Sequence, residues 1–335
     1  MSENKTPFAH IAVIGAGAWG TALALAALAA GRKTTLWVRE ADVLGAIRAG
    51  GANRFLPGIT LPQTLDVTGD LAEAAKADAL LLVVPAQVLG AFAQGLKGHV
   101  KPGTPLVICA KGIEKGSGRL VNEVLAQALP GASLAILSGP SFARDVGAGL
   151  PTAVTIAAEG GLAARLQASL SSPAFRPYAS TDIVGVALGG AAKNVYAIAC
   201  GVVEGLGLGE NARAALLARS FAELARLGES LGAKPETLMG LSGLGDLVLT
   251  ATSKSSRNFS FGVSLGEGKS VADLSAPGKP LAEGVDTAPA LVARAKALGV
   301  ELPIAEAMAD LLAGRMPVGE AMIRLMSRPL KPEKA

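Results

Sequence analysis

The chain is short of several residue types, and each shortage removes a class of function. Only two cysteines, Cys109 and Cys200, occur among 335 residues, both inside apolar runs. They read as free buried thiols, not as a disulfide framework. Histidine is equally scarce, His10 and His99 being the two present. No Cys/His cluster is available for a metal, so no metal site is expected. His10 precedes the first apolar run and His99 lies in a loop before Pro102. Both read as surface residues, not as a catalytic acid/base. Aromatic residues make up 4% and charged residues 17% of the chain, with no lysine or arginine tract. That composition argues against a nucleic-acid groove lined by stacking platforms. The net charge of +4 is a mild field that suits small anions.

Charge is missing altogether from Ile11 to Gly31, a stretch long enough to imitate a membrane span or a signal sequence. Three glycines fall in its middle at regular spacing, and the leader Met1–Lys5 is not strongly basic. A buried strand and helix account for the same letters without stable membrane insertion, and a cytoplasmic protein is expected. What the sequence has in abundance is glycine, 42 residues, and hydrophobic residues, half of the total. The length allows about two domains with large cores.

The stretch from His10 to Ala24 organises the rest. An apolar run, Ile11–Ile14, meets Gly15, Gly17 and Gly20 in G-x-G-x-x-G spacing, followed by an Ala/Leu-rich segment up to Gly31. Strand, tight turn and helix follow from this order. Gly15 allows the turn, Gly17 lets a pyrophosphate approach the backbone, and Gly20 lets helix and strand pack closely. Phosphates would sit on the exposed N–H groups at the helix start, around Ala18 and Trp19. A second strand, Thr34–Val38, leads to Arg39 and Glu40. An acidic residue there suits the ribose 2'-hydroxyl of NAD, and an arginine suits the 2'-phosphate of NADP. With Arg39 first, NADPH is favoured and NADH stays open.

Further along, strands are expected at residues 65–67, 80–84, 105–110, 133–137, 153–157 and 176–179, alternating with helices over most of that length. Continuous apolar runs such as Leu80–Val84 mark strands covered on both faces. The fold class is therefore α/β: an N-terminal, doubly wound, Rossmann-type and mostly parallel sheet, with a helical C-terminal domain. The division is placed at residues 1–186 and 187–335. Pro85, Lys111 and Ser138–Ser141 all fall at carboxyl ends of strands, where such sheets bind ligands. In the second half, helices are expected at about 190–205, 211–231, 235–241, 246–252, 287–298, 304–313 and 318–326. Asn211 serves as an N-cap, Gly232 as a stop, and Pro235 fits a first turn.

Lys193 is the single charged residue between Asp182 and Glu204. A helix apolar nearly all round is a buried helix. Burial disfavours a lysine's charged form, so Lys193 is a candidate general acid/base near neutral pH; Asn194 adds an amide. Gly243-Leu-Gly-Asp246 places an acid at a helix start, where it either caps that helix or serves a ligand. Ser256-Arg257-Asn258, in a Ser/Lys-rich stretch, offers donors and a guanidinium fork suited to phosphate. Glu283 is a weaker candidate.

Together, Gly15–Ala24, Val84-Pro85, Ala110–Ile113, Ser138–Ala143, Gly190–Val195, Gly243–Thr250 and Ser256–Asn258 resemble the bacterial-type NAD(P)-dependent sn-glycerol-3-phosphate dehydrogenases. The likeness covers nearly the whole chain. It implies that Lys193 exchanges the proton at substrate C2, with Asp246 as a second catalytic residue. It implies that Lys111, Gly139, Ser141, Asp246, Ser256, Arg257 and Asn258 hold the triose phosphate. Trp19, Arg39, Lys111, Ala143, Arg257, Leu281 and Glu283 would line the cofactor site. Leu281 and Glu40 depart from residues common in the family. The resemblance further implies a homodimer and a role in phospholipid synthesis. Two other readings stand beside it: a lysine-dependent dehydrogenase of 3-hydroxy acids or sugar acids, and a non-catalytic NAD(P)-binding redox sensor.

Overall fold

Apolar runs too short for helices become strands, and the computed structural model, which describes residues 6–327 and Pro329, joins eight of them in one sheet. The leader Met1–Lys5 lies outside the described residues. The first half alternates as expected: β1 (His10–Ile14), α1 (Ala18–Ala29), β2 (Lys33–Trp37), α2 (Ala41–Gly50), β3 (Asp66–Thr68), α3 (Leu71–Ala74) and β4 (Ala79–Leu82). There follow α4 (Leu89–Leu96), β5 (Pro105–Ile108), α5 (Val121–Ala128), β6 (Ser133–Ser138), α6 (Ala143–Gly147), β7 (Thr152–Ala158), α7 (Leu162–Leu170) and β8 (Phe175–Ser180). The uncharged stretch that imitates a membrane span is thus β1 and α1, most of whose residues are buried.

The strand order is β3-β2-β1-β4-β5-β6-β7-β8. Every pairing is parallel except β6–β7. Trp37 pairs with Thr68 and Ile14, Ile14 with Leu82, and Leu82 with Ile108, so β3, β2, β1, β4 and β5 end in one row, and β6 runs two residues past Ile136 to Ser138. The order reverses between β1 and β4, which opens the crevice where such sheets take ligands. Strand residues alternate between two cores, as a two-residue period requires. Ile11, Val13, Leu81 and Val107 pack toward α1 and α7. Ala12, Ile14, Leu80, Leu82 and Ile108 share the other core with the helical half. The two halves are thereby one continuous packing unit on that face.

The helical half is built on α8 (Ile183–Gly205), with every residue from Gly185 to Val202 buried. This helix is long and apolar enough to cross a membrane by length and composition alone, but here it is a core helix. It starts at Ile183, not near residue 190, because Asp182 caps it: the carboxylate accepts from the Gly185 N–H at 2.8 Å and from the Lys234 N–H at 2.8 Å. Around it lie α9 (Gly209–Ser230), α10 (Pro235–Met239), a π-type turn at Leu241–Gly245, α11 (Asp246–Thr252), α12 (Arg257–Gly266), α13 (Val271–Leu274), α14 (Glu283–Ala297), α15 (Pro303–Leu312) and α16 (Val318–Met326). Helix α9 begins two residues before Asn211, and α14 begins at Glu283, not at residue 287. Proline suits a first turn, and Pro289 stands two residues after the expected start. The observed helix carries that proline inside it.

Helix α12 was not expected, and it packs tightly against α8. A Cβ on Gly201 would lie 2.1 Å from the Phe259 carbonyl oxygen, and one on Gly262 2.1 Å from that of Ile198. Backbone therefore meets backbone, and α12 sits where its first residues reach the middle of α8. Gly262→Ala should force the pair apart and lower stability by about 1–3 kcal/mol in urea unfolding. An unchanged midpoint would mean that the contact is looser than this packing implies.

Candidate functional site

Lys193 lies on α8 and is 7% exposed. Its position is set by small neighbours. A Cβ on Gly189 would meet the Ser242 carbonyl oxygen at 2.5 Å, and one on Gly190 would meet the Ser138 hydroxyl at 2.8 Å and the Lys111 stem at 3.4 Å. The two glycines let α8 press against the π-type turn on one side and the β5 and β6 tips on the other. That turn also needs glycine, since a Cβ on Gly243 would lie 1.9 Å from the Leu238 carbonyl oxygen. It delivers Asp246 as the first residue of α11. Asp246 does not cap the helix. Its carboxylate, 1% exposed, accepts from the Lys193 Nζ through Oδ1 and from the Lys111 Nζ at 2.7 Å through Oδ2.

Burial drives the Lys193 amine down to about 7, although Asp246 pulls the other way; the Lys111 charge adds to the lowering. Burial also pushes Asp246 upward, but the two ammonium groups outweigh it and hold the carboxyl below its usual range. The result is an ionised carboxylate beside an amine poised to gain or lose a proton at neutrality. Thr250, one turn after Asp246, accepts from the Lys193 Nζ at 2.9 Å. Sequence reasoning passed over Thr250, although its i+4 spacing from an acid at a helix start was a usable signal.

Several of the other expected residues connect to this cluster. Lys111 donates at 3.2 Å to the Gly139 carbonyl, which also accepts from the Ser141 hydroxyl at 3.0 Å. Asn258 uses both ends of its amide: it donates to Asn194 Oδ1 at 2.9 Å and accepts from the Gly284 N–H at 3.0 Å. Ser256 caps α12 by accepting from the Phe259 N–H at 3.2 Å. Arg257, the next residue, is exposed. Glu283 opens α14, where burial raises its carboxyl while Arg257, Lys111 and Lys193 draw it back. Leu281 stands 47% exposed just before. His99 is exposed, whereas His10 is partly buried with its Nε2 2.8 Å from the Thr35 hydroxyl; it opens β1, at the opposite end of the sheet from the glycine turn. Both cysteines are free and buried, and burial pushes their thiols up, Cys200 to about 12.

The glycine turn fits a dinucleotide. Gly15 has φ 118°, and a Cβ there would meet the Val83 carbonyl oxygen at 2.5 Å, just ahead of the exposed Pro85 at the end of β4. A Cβ on Gly20 would lie 1.8 Å from the Gly15 carbonyl oxygen, but around Gly17 nothing comes within 4 Å. Gly17 is exposed, and no side chain caps α1 behind it. The Trp19 indole N–H is buried there with no partner among the described residues. Ala143 opens α6, which packs against α1. Arg39 stands at the end of β2, with its guanidinium on the Glu40 carboxylate.

Residues 10–163 match the model of the NAD-dependent glycerol-3-phosphate dehydrogenase N-terminus, and residues 182–323 match that of the C-terminus. The chain belongs to this family. It is 55% identical over 327 residues to a glycerol-3-phosphate dehydrogenase [NAD(P)+] of Rhodospirillum rubrum, covering 97% of this chain and 94% of the relative. A second relative of that name, from Parvibaculum lavamentivorans, is 52% identical over 328 residues, covering 97% and 98%. The crystal structure of glycerol-3-phosphate dehydrogenase from Coxiella burnetii superposes with a TM-score of 0.91 at 38% identity, covering 96% of this chain and 99% of that one.

The glycine turn offers a direct test. Gly17→Val should leave the melting temperature within about 2 °C yet weaken dinucleotide binding at least about tenfold. Gly20→Ala should lower the melting temperature itself. Equal nucleotide binding by Gly17→Val and wild type would remove the pyrophosphate from this turn.

Proposed function

We propose that this protein catalyses the reversible reduction of dihydroxyacetone phosphate to sn-glycerol 3-phosphate with NADPH or NADH. The observation that carries the chemistry is the buried Lys193 amine, brought down to about 7 and held by Asp246 and Thr250. A bound nicotinamide cofactor supplies the hydride to C2. The protein's part is the proton. Protonated Lys193 donates to the oxygen on C2 as its negative charge develops, and in the reverse direction the neutral amine takes that proton back. Asp246 keeps the amine oriented and remains ionised throughout. Lys111, Gly139 and Ser141 meet the substrate from the sheet side. Ser256, Arg257 and Asn258 hold the phosphate from α12, which fixes C2 in place for transfer. In this reading Gly15, Gly17, Ala18, Trp19, Gly20, Arg39, Pro85, Ala143, Leu281 and Glu283 border the cofactor. The product would feed phospholipid synthesis in the cytoplasm.

A homodimer is proposed on the family likeness alone. A light-scattering mass of twice the 33.5 kDa chain supports it, and the single-chain mass refutes it.

Lys193→Met should lose at least about a thousandfold in turnover while still binding NADPH. Because reduction needs the protonated amine, its kcat/KM should fall as pH rises through about 7, and the oxidation rate should rise over the same interval. Arg257→Ala should raise the KM for dihydroxyacetone phosphate at least about tenfold, with a smaller effect on the KM for NADPH. Wild-type turnover in Lys193→Met, followed as loss of reduced-nicotinamide absorbance, would overturn the assignment.

A further inference from the structure

We propose that Glu40 sets the choice between NADPH and NADH by competing with a 2'-phosphate for the Arg39 guanidinium. The inference rests on the cofactor cleft assigned above. The Gly15 N–H donates to the Trp37 carbonyl at 3.2 Å, and Ile14 pairs with Trp37, so the chain leaving β2 runs beside the glycine turn. Residues at this point of a doubly wound sheet meet the adenosine ribose. Two of them carry opposite charges, and they are bound to each other. Arg39 Nε and Nη2 both donate to Glu40 Oε1, at 3.1 and 2.7 Å. The arginine side chain is 76% exposed and the glutamate 28%. The carboxylate is therefore the more fixed partner, and the guanidinium lies over it toward solvent. Two residues after Glu40, the Asp42 carboxylate likewise holds an arginine, Arg54.

The two cofactors meet this pair differently. A 2'-phosphate carries close to two negative charges. To use the Nε–Nη2 edge of the guanidinium it must displace the Glu40 carboxylate, and on either edge it stays beside that charge against repulsion. A ribose 2'-hydroxyl instead donates to the Glu40 carboxylate and leaves the ion pair intact. Arg39 alone would favour NADPH; Glu40 takes back much of that preference. The Glu40 side chain makes no cap to α2, so its charge is free for this role without a helix depending on it.

The test uses fragments that undergo no redox chemistry. Titration calorimetry with 2',5'-ADP and with 5'-AMP should be run on wild type, Glu40→Gln and Arg39→Ala. Glu40→Gln should tighten 2',5'-ADP about tenfold and leave 5'-AMP within about threefold. Arg39→Ala should weaken 2',5'-ADP about tenfold or more, again sparing 5'-AMP. The ratio of kcat/KM for NADPH over NADH should move the same way in each variant. If Glu40→Gln changes both fragments alike or neither, Glu40 does not govern the choice. Should the fragments respond as expected in a protein that does not reduce dihydroxyacetone phosphate, this inference stands and the proposed reaction falls.

Discussion

One buried carboxylate shared by two lysines is the interaction on which the site depends. Asp246 has two oxygens, one facing Lys193 and the other Lys111, and almost no solvent reaches them. Burial alone would favour a neutral acid and neutral amines. Close pairing reverses this for the aspartate but only partly for Lys193, which has a second ammonium as neighbour. The cluster is thus left one positive charge in excess, tuned to exchange a proton and suited to an anionic substrate. Breaking such a pair from one side leaves a buried charge uncompensated, at a cost of about 3–5 kcal/mol. The surrounding glycines are needed because the three side chains come from β5, α8 and α11 and can meet only if those backbones approach closely.

The sheet puts the glycine turn on the same side as this cluster. Five strands end in register, and the order reverses between β1 and β4, so the glycine turn, the exit of β5 at Lys111 and the tip of β6 at Gly139 form one row. Helix α8 lies across the core face of that row. Helix α12, pressed on α8 by Gly201 and Gly262, brings Ser256, Arg257 and Asn258 to the same place. Asn258 then ties α8 to the start of α14, where Glu283 faces Arg257. The phosphate-binding candidates and the buried lysine are in this way parts of one packed body.

Much of this could be read from the sequence because it rests on local rules. The apolar runs ending at glycine or proline gave the strands, and Lys193 stood out because its helix has no other charge. Features that depend on tertiary contact were not legible. Helix α12 was missed because Gly262 and Gly266 lower its apparent helix propensity, and only the approach to α8 explains them. The π-type turn at Leu241–Gly245 has no counterpart in a 3.6-residue period. The pairings of Thr250 with Lys193 and of Asn258 with Asn194 span 57 and 64 residues of chain and exist only in the folded structure. Likewise the adjacency of Arg39 and Glu40 was plain, but not that one would occupy the other.

The most direct test of the account is the protonation state of the Lys193 amine itself. Nitrogen-15 labelling of lysine side chains, with Lys193 assigned by its absence in Lys193→Met, would follow that amine across pH in the folded protein. The account expects a midpoint near 7. A midpoint near 10.5, the ordinary lysine value, would show an amine open to water and would contradict it.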